Sequence, residues 1–416
     1  MMGSYFPKPM ANGICTHQIA LELKKKGYDV HLICFKKSGD LREDSYDGIK
    51  IHRVKMRLFF KMLFYSENII NTWMGKCIYK IAMIINKIKK IMYLFFYPMT
   101  SPILIYRYYK LAKKLHEENY FDMIISVYNP LESLIAGALI KRKFKDIKFA
   151  IYVLDSLTNN GGTKYAPKKW TENKGWQWEK RIYKDADIIF NMKCHEEHHK
   201  KERYDKYREK MKIVDIPLFN SFNLDVKQDC NFFSKDSTHL LYAGSLDIEG
   251  RNPKYLCDAF IEISNRCNVK LHFYSRGSCE NMIIKYQENS QYRIVRHGYV
   301  DRDVLLKAIS SADILISIGN KESDMIPSKI FEYIYTGKPI IHFYKRKNDS
   351  SITYYKHYPK ALLINENDDF LTNVNKISNF INSKQKKLSI DNLKEFYIQN
   401  TPQYTVSFIN EILQKK

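Results

Sequence analysis

Residues 313–344 restrict the fold of this chain more than any other stretch. Ile314 to Ile318 form a short apolar run of strand length, and Gly319 and Asn320 end it with turn residues. Ser323 or Asp324 can cap a helix, and Pro327 suits its first turn. Ile330, Phe331 and Ile334 then share one helical face, Gly337 fits the position just past the helix end, and residues 339–343 read as a second buried strand. Strand, loop, helix and strand in that order form the repeating unit of a parallel sheet.

The loop of such a unit lies at the carboxyl ends of the strands, where open α/β sheets bind ligands. A helix N-terminus there offers unpaired amides and partial positive charge to an anion. Ser328 and Lys329 add a hydroxyl and a cation, and Glu332 follows one turn later as an acceptor for hydroxyl groups. Asp324 stands eight residues before Glu332. One carboxylate on the loop and one on the helix suit a ligand that carries both phosphate and sugar hydroxyls.

A chain of 416 residues exceeds one ordinary core, which predicts two domains of roughly 200 residues each. The boundary is placed in the polar stretch after residue 217, giving domains 1–217 and 218–395 and a terminal helix over 396–416. The formal charge of +23 favours anionic partners such as nucleoside diphosphates, anionic lipids or nucleic acid. The eight cysteines show no paired spacing and read as reduced thiols of a cytoplasmic protein. No run of eighteen apolar residues exists, so no transmembrane helix is expected.

In the first half, residues 4–13 read as a Pro- and Gly-rich loop, a helix follows from about Thr16, and residues 30–35 form a strand. Only Met1, Met2 and Gly3 precede the loop, too few for a full first strand. Residues 51–114 contain a single acid, Glu67. Within the basic segment 55–110, Lys76, Lys80, Lys87 and Lys90 fall on one helical stripe, and Ile78, Ile81, Ile84, Ile85, Ile88 and Met92 lie on the other side. A basic amphipathic helix flanked by aromatic residues fits an anionic membrane surface. Residues 121–128 and 148–154 are strands whose ends carry Asn129 and Asp155, candidate contacts on the acceptor side. Trp176, Trp178 and Glu179 open a helix before a strand near residues 186–190.

In the second half, residues 239–243 form a strand, Gly244 and Ser245 its turn, and Arg251 a cation before the helix that begins near Lys254. A glycine turn and a cation ahead of a helix make a phosphate cradle. The next strand ends at Tyr274 and is followed by Arg276 and Gly277. Residues 294–300 then lead through His297 and Gly298 to Tyr299 and Val300, and residues 388–416 read as helical.

The segment 313–344 resembles the donor-binding motif of retaining GT-B glycosyltransferases, the large family 4 group. That motif is Glu-x7-Glu followed by a Gly-x-Pro turn and an apolar strand. Glu332 and the Gly337-Lys338-Pro339 turn match it, and the run Pro-Ser-Lys-Ile-Phe-Glu-Tyr over 327–333 resembles bacterial polysaccharide-synthesis enzymes of that group. The first acid is Asp324, one methylene shorter than the family's Glu. The resemblance implies an α/β protein of the GT-B fold, with two Rossmann-like, doubly wound parallel-sheet domains facing across a cleft and the last helix returning to the first domain. It implies that Glu332 holds the nucleotide ribose and that Asp324 contacts the transferred sugar, the two forming the catalytic pair. The donor would further meet Gly13, Gly244, Ser245, Arg251, Arg276, Met325, Ile326, Ser328 and Lys329. Tyr299 and Val300 would hold the base through backbone groups.

The expected reaction is transfer of a sugar from a nucleoside diphosphate sugar, UDP-linked, to a glycan or lipid-linked acceptor, with retention of configuration. Cations and amides would stabilise the leaving diphosphate, with no cofactor required. The expected location is the inner face of the plasma membrane. Two alternatives come from other classes. His195-Glu196-Glu197-His198-His199 matches His-Glu-x-x-His, in which His195 and His199 would hold zinc and Glu196 act as base. The charged flank after His199 instead suggests a solvated helix. A nucleic-acid-binding protein would also explain the charge, although no recognition module accompanies it.

Overall fold

Strands that are apolar on both faces must be covered on both faces, so each sheet needs a helix layer above and below. The structure, a computed structural model, describes every residue except 8–10, 38, 56–57, 155, 159–162, 164, 220–231, 321–326, 328, 384–386, 390 and 415–416, and the side chain of Lys90. The chain divides into two units, Met1–Pro217 with Pro402–Lys416, and Leu218–Thr401.

The first unit runs α1 (Ala11–Lys25), β1 (His31–Phe35), β2 (Glu43–Tyr46), β3 (Ile49–Val54), α2 (Leu58–Asn68), α3 (Trp73–Met92) and α4 (Pro102–Asn119). It continues β4 (Met123–Tyr128), α5 (Leu131–Lys143), β5 (Lys148–Val153), α6 (Lys168–Tyr183), β6 (Ile188–Met192), α7 (Glu196–His199) and β7 (Met211–Val214). Strand order is β1-β3-β2 in one sheet and β4-β5-β6-β7 in the other. Every pair is parallel except β2 with β3. Residues 1–3 join the two sheets. Met1 N donates to Ile125 O at 2.6 Å and Val127 N to Met1 O at 2.9 Å, while Met2 N donates to Ile33 O at 3.0 Å and Phe35 N to Gly3 O at 2.9 Å. Met1 thus bonds to β4, and Met2 and Gly3 bond to β1. Beside this short segment, between the beginnings of β1 and β4, lies an apolar cavity of about 320 Å³ lined by Val30, Leu32 and Ile124 among others.

Side-chain alternation along β5 explains the layering. Phe149, Ile151 and Val153 face one core with Leu134 and Tyr183, and Ala150 and Tyr152 face the other with Ile19 and Phe190. Several sequence boundaries shift. The first helix begins at Ala11, so Gly13 lies in its first turn and not in a loop. Pro167 sets the start of α6 at Lys168, which places Trp176, Trp178 and Glu179 inside that helix.

The second unit runs β8 (Thr238–Leu246), α8 (Lys254–Ser264), β9 (Val269–Gly277), α9 (Glu280–Asn289), β10 (Ile294–Arg296), α10 (Arg302–Ser311) and β11 (Ile314–Ile318). After it come α11 (Lys329–Tyr335), β12 (Ile340–Tyr344), α12 (Ser350–Tyr355), β13 (Ala361–Asn365), α13 (Phe370–Asn382) and α14 (Asp391–Lys394). Its six strands lie in the order β10-β9-β8-β11-β12-β13, all parallel. Leu240, Phe273, Ile316 and Phe343 pack against Phe260 of α8 and Ile377 of α13. Gly337 ends α11 at φ +70°, and a Cβ there would lie 2.3 Å from Leu388 O, so both conformation and space call for glycine.

The last helix, α15 (Pro402–Gln414), belongs to the first unit. Its Val406 and Ile409 join the core that contains Ile19 and Leu23 of α1, and Gln403 Nε2 donates to Glu22 Oε2 at 2.7 Å. The sequence reading began this segment at residue 396. The structure keeps residues 396–401 with the second unit, because the Tyr397 ring packs 5.4 Å from that of Phe219 and its hydroxyl donates to Tyr354 O at 2.8 Å.

Candidate active site

In the second unit β8 lies between β9 and β11, and the chain winds outward from it in both directions. The switch point of a doubly wound sheet therefore falls between the carboxyl ends of β8 and β11, where ligands bind in such sheets. The two ends are tied together there, since Arg251 Nε donates to Asn320 Oδ1 at 2.5 Å. Asp247 holds the turn that carries Arg251: its backbone N donates to Arg251 O at 3.2 Å, and its carboxylate accepts from Gly250 N. The sequence reading placed a turn at Gly244 and Ser245. Both lie instead within β8, opposite Ser275 and Arg276 of β9, because the Tyr242 hydroxyl donates to Ser245 O at 3.1 Å and the ladder continues past them.

A cavity of about 460 Å³ opens at this point. Gly244, Ser245, Arg251, Arg276, Tyr299, Val300 and Lys329 all line it, so seven of the expected donor contacts come together. Arg302, which the sequence reading missed, lines it as well. The Arg276 guanidinium sits 5.3 Å over the Tyr299 ring, which is 74% exposed. His297 stacks on Tyr274 at 4.2 Å and fixes the start of the segment leading to Tyr299.

Glu332 is only 2% exposed, behind these cations. Arg302 Nη2 lies 2.7 Å from its Oε1, Arg302 Nη1 donates to its Oε2 at 3.3 Å, and Lys329 Nζ stands 3.6 Å from that Oε2. The Oε1 contact is an ion pair without an aligned N–H, so this buried oxygen keeps acceptor capacity. Burial lowers the Lys329 ammonium below the ordinary lysine value, against the pull of Glu332. The next residue, Tyr333, accepts from Ala243 N at 2.9 Å and locks α11 onto β8. Arg302 was hidden in the sequence because its partner lies thirty residues away; its place in the first turn after the Tyr299-Val300 segment was the available signal.

The helix expected to begin at Ser323 or Asp324 begins at Lys329, with Pro327 outside it. Asp324, Met325, Ile326, Ser328 and Asp155 lie outside the described residues. Gly13 and Asn129 belong to the first unit, where Asn12 Nδ2 donates to Tyr128 O at 3.3 Å and so joins the start of α1 to the end of β4.

The His-Glu-x-x-His run occupies residues 195–199, with Glu196–His199 forming α7. Among the described residues no group of three His, Cys, Asp or Glu side chains is placed to hold an ion. Nor is the segment a solvated helix, for His195, His198 and His199 are all buried. His199 Nδ1 donates to His195 O at 2.8 Å, and His198 Nε2 lies 2.6 Å from Thr158 Oγ1. Thr158 and Tyr204 also donate to Glu179, at 3.1 and 2.7 Å. A single helical turn can send its Glu and Lys side chains to water while its His side chains point inward, which the run's net charge concealed.

The second unit is a doubly wound α/β domain with a cation-lined cavity at its switch point. Residues 237–379 match the family model described as glycosyl transferases group 1. Sucrose-phosphate synthase from Thermosynechococcus elongatus is similar in structure at TM-score 0.60 and 12% identity, covering 100% of this chain and 99% of its own. HepE from Anabaena, solved in complex with UDP, is similar at TM-score 0.59 and 12% identity, with 100% and 99% covered. WaaG, a glycosyltransferase involved in lipopolysaccharide biosynthesis, is similar at TM-score 0.55 and 10% identity, with both chains covered in full. No curated protein sequence matches the chain. The fold is GT-B, two parallel-sheet α/β domains.

Proposed function

We propose that this chain transfers a sugar from a UDP-sugar to a glycan or lipid-linked acceptor, with retention of configuration, in polysaccharide biosynthesis. The observation that carries this reading is the meeting of Arg251, Arg276, Arg302 and Lys329 around one cavity, with Glu332 buried behind Arg302 and Lys329. In the reaction the bond between the anomeric carbon and the diphosphate oxygen breaks, and negative charge grows on the departing UDP. Cations already in place around the diphosphate stabilise that charge without reorganising. An acceptor hydroxyl forms the new bond to the anomeric carbon, and its proton passes to the departing diphosphate. Ribose hydroxyls take the acceptor capacity of Glu332, the backbone of Tyr299 and Val300 holds the base, and Asp324 meets the transferred sugar. Gly13, Asn129 and Asp155 complete the reading from the first unit. The reading requires no cofactor beyond the donor.

Contact with an anionic membrane surface, on the inner face of the plasma membrane, belongs to the same proposal. Its support is α3, whose Ile81, Ile84, Ile88 and Met92 are exposed beside Lys76, Lys80 and Lys87. No helix among the described residues is long and apolar enough to cross a membrane.

A thermal-shift panel of UDP, GDP, ADP and their sugars, with random-sequence DNA as a further arm, tests the donor. A rise in melting temperature with UDP ligands above all others supports the reading. Equal shifts with every nucleotide, or tight salt-sensitive DNA binding in place of a UDP shift, contradict it. Retention is read from the anomeric configuration of the product by NMR.

A further inference from the structure

The α2–α3 hairpin stands apart from ordinary core helices. Thr72 caps α3 by accepting from Gly75 N at 3.0 Å, and a Cβ on Gly75 would lie 2.0 Å from Ile69 O, so the two helices meet in a close turn. Of the apolar side chains along α3, Ala82 alone is fully buried. Trp73 at the turn is 82% exposed, and Phe95 just past the helix is 76% exposed. Exposed apolar surface on this scale marks a binding face.

That face is not flat. A groove of about 1000 Å³ runs beside it, walled by Phe59, Phe60, Met83, Ile84, Leu94 and Met99. The stretch bordering it, from Met83 in α3 to Tyr93 just past the helix end, is about 15 Å long at 1.5 Å per residue. Lys87 and Lys89 line the same groove, and Lys89 Nζ lies 5.5 Å over the Tyr93 ring. At another point the groove is lined by Thr163 and Tyr165, which belong to the connection leaving the carboxyl end of β5. An apolar channel, two ammonium groups and a route to a strand's carboxyl end are what a long hydrocarbon chain with an anionic head requires. The charge pattern also argues against a second copy of the hairpin as occupant. Between residues 51 and 114 the only acid is Glu67, so two such faces would repel.

We propose that this groove binds the lipid anchor of the acceptor: the hydrocarbon chain lies along α3, and its terminal phosphate is held by Lys87 and Lys89. The inference rests on the glycosyltransferase reading above and assigns that enzyme's acceptor to the lipid-linked class. Chain binding leaves the glycan end free to extend toward the strand ends of the first unit, where chemistry in α/β folds takes place.

Calorimetric titration of dodecyl phosphate, below its critical micelle concentration, into the full chain tests it. Saturable one-to-one binding is expected, with inorganic phosphate and dodecanol each at least ten-fold weaker. Met83→Glu with Ile84→Glu should weaken binding ten-fold or more, Met83→Leu with Ile84→Leu should keep it, and Lys87→Glu with Lys89→Glu should remove the preference over dodecanol. Met83 and Ile84 are half exposed, so the charged variants can fold, and their melting curves verify that they do. Ile91→Glu, exposed on the same helix but outside the groove, should leave dodecyl phosphate binding unchanged. The proposal is overturned by absence of saturable binding, by equal affinity for dodecanol, by indifference to the paired Glu variants, or by binding confined to phosphatidylglycerol vesicles. The UDP melting shift is measured on the same samples. A chain that responds to UDP but ignores dodecyl phosphate loses this inference and keeps the donor reading, and one that ignores both loses the two together.

Discussion

A carboxylate that is 2% exposed, paired with a half-exposed arginine, holds most of the chemistry at the residue scale. Removing Arg302 leaves Glu332 with Lys329 as its remaining named cation, 3.6 Å away. Arg302→Met should therefore cost about 1–2 kcal/mol in urea unfolding, less than a fully buried pair because half of Arg302 stays in water. A second buried acid makes a pH prediction. Burial raises the Glu179 carboxyl to about 7, against the hydrogen bonds from Tyr204 and Thr158. Its folded value lies above the unfolded one, so the folded state holds more protons between them. The contribution of this carboxyl to stability should thus be fully present below about pH 4.5 and be lost, by about 3 kcal/mol, as pH rises through 7. Glu179→Gln should flatten that slope in denaturant melts taken across the range. Single-residue positions were legible where they follow from local order: Arg251 and Lys329 line the cavity and Glu332 stands behind it. Arg302 and the inward-facing histidines were not, because their partners are distant in sequence.

Elements obey the same division. The strand–loop–helix–strand unit around β11 was readable from apolar periodicity and from Gly337. Gly337→Ala should destabilise the second unit by about 1–2 kcal/mol through left-handed backbone strain alone, and by more because Leu388 O must shift; thermal unfolding measures it. Boundaries were less legible. Strand β8 runs through Gly244 because β9 pairs with it along its full length, which no local rule conveys. The amphipathic pattern of α3 was plain, yet it fits a core helix as well as a surface one. Exposure of Ile84, Ile85 and Ile88 favours the surface. Co-sedimentation with phosphatidylglycerol vesicles should fall several-fold with Ile85→Glu and also with added salt, since screening shortens the reach of the lysines.

At the scale of the whole molecule, two α/β units and a terminal helix that returns to the first follow from alternating strands and helices over more residues than one core can hold. Residues 1–3 link the two sheets of the first unit through bonds to β4 and β1. What the two units accomplish depends on the cavity at the switch point. The most direct measurement compares UDP with 2′,3′-dideoxy-UDP by calorimetry, in the wild type and in Glu332→Ala. Two charge-assisted hydrogen bonds from ribose to Glu332 imply a preference for UDP of about ten- to a hundred-fold in the wild type, and the variant should lose it. Equal affinity of the wild type for both ligands, or an undiminished preference in the variant, would contradict the assignment of this cavity to a nucleotide sugar.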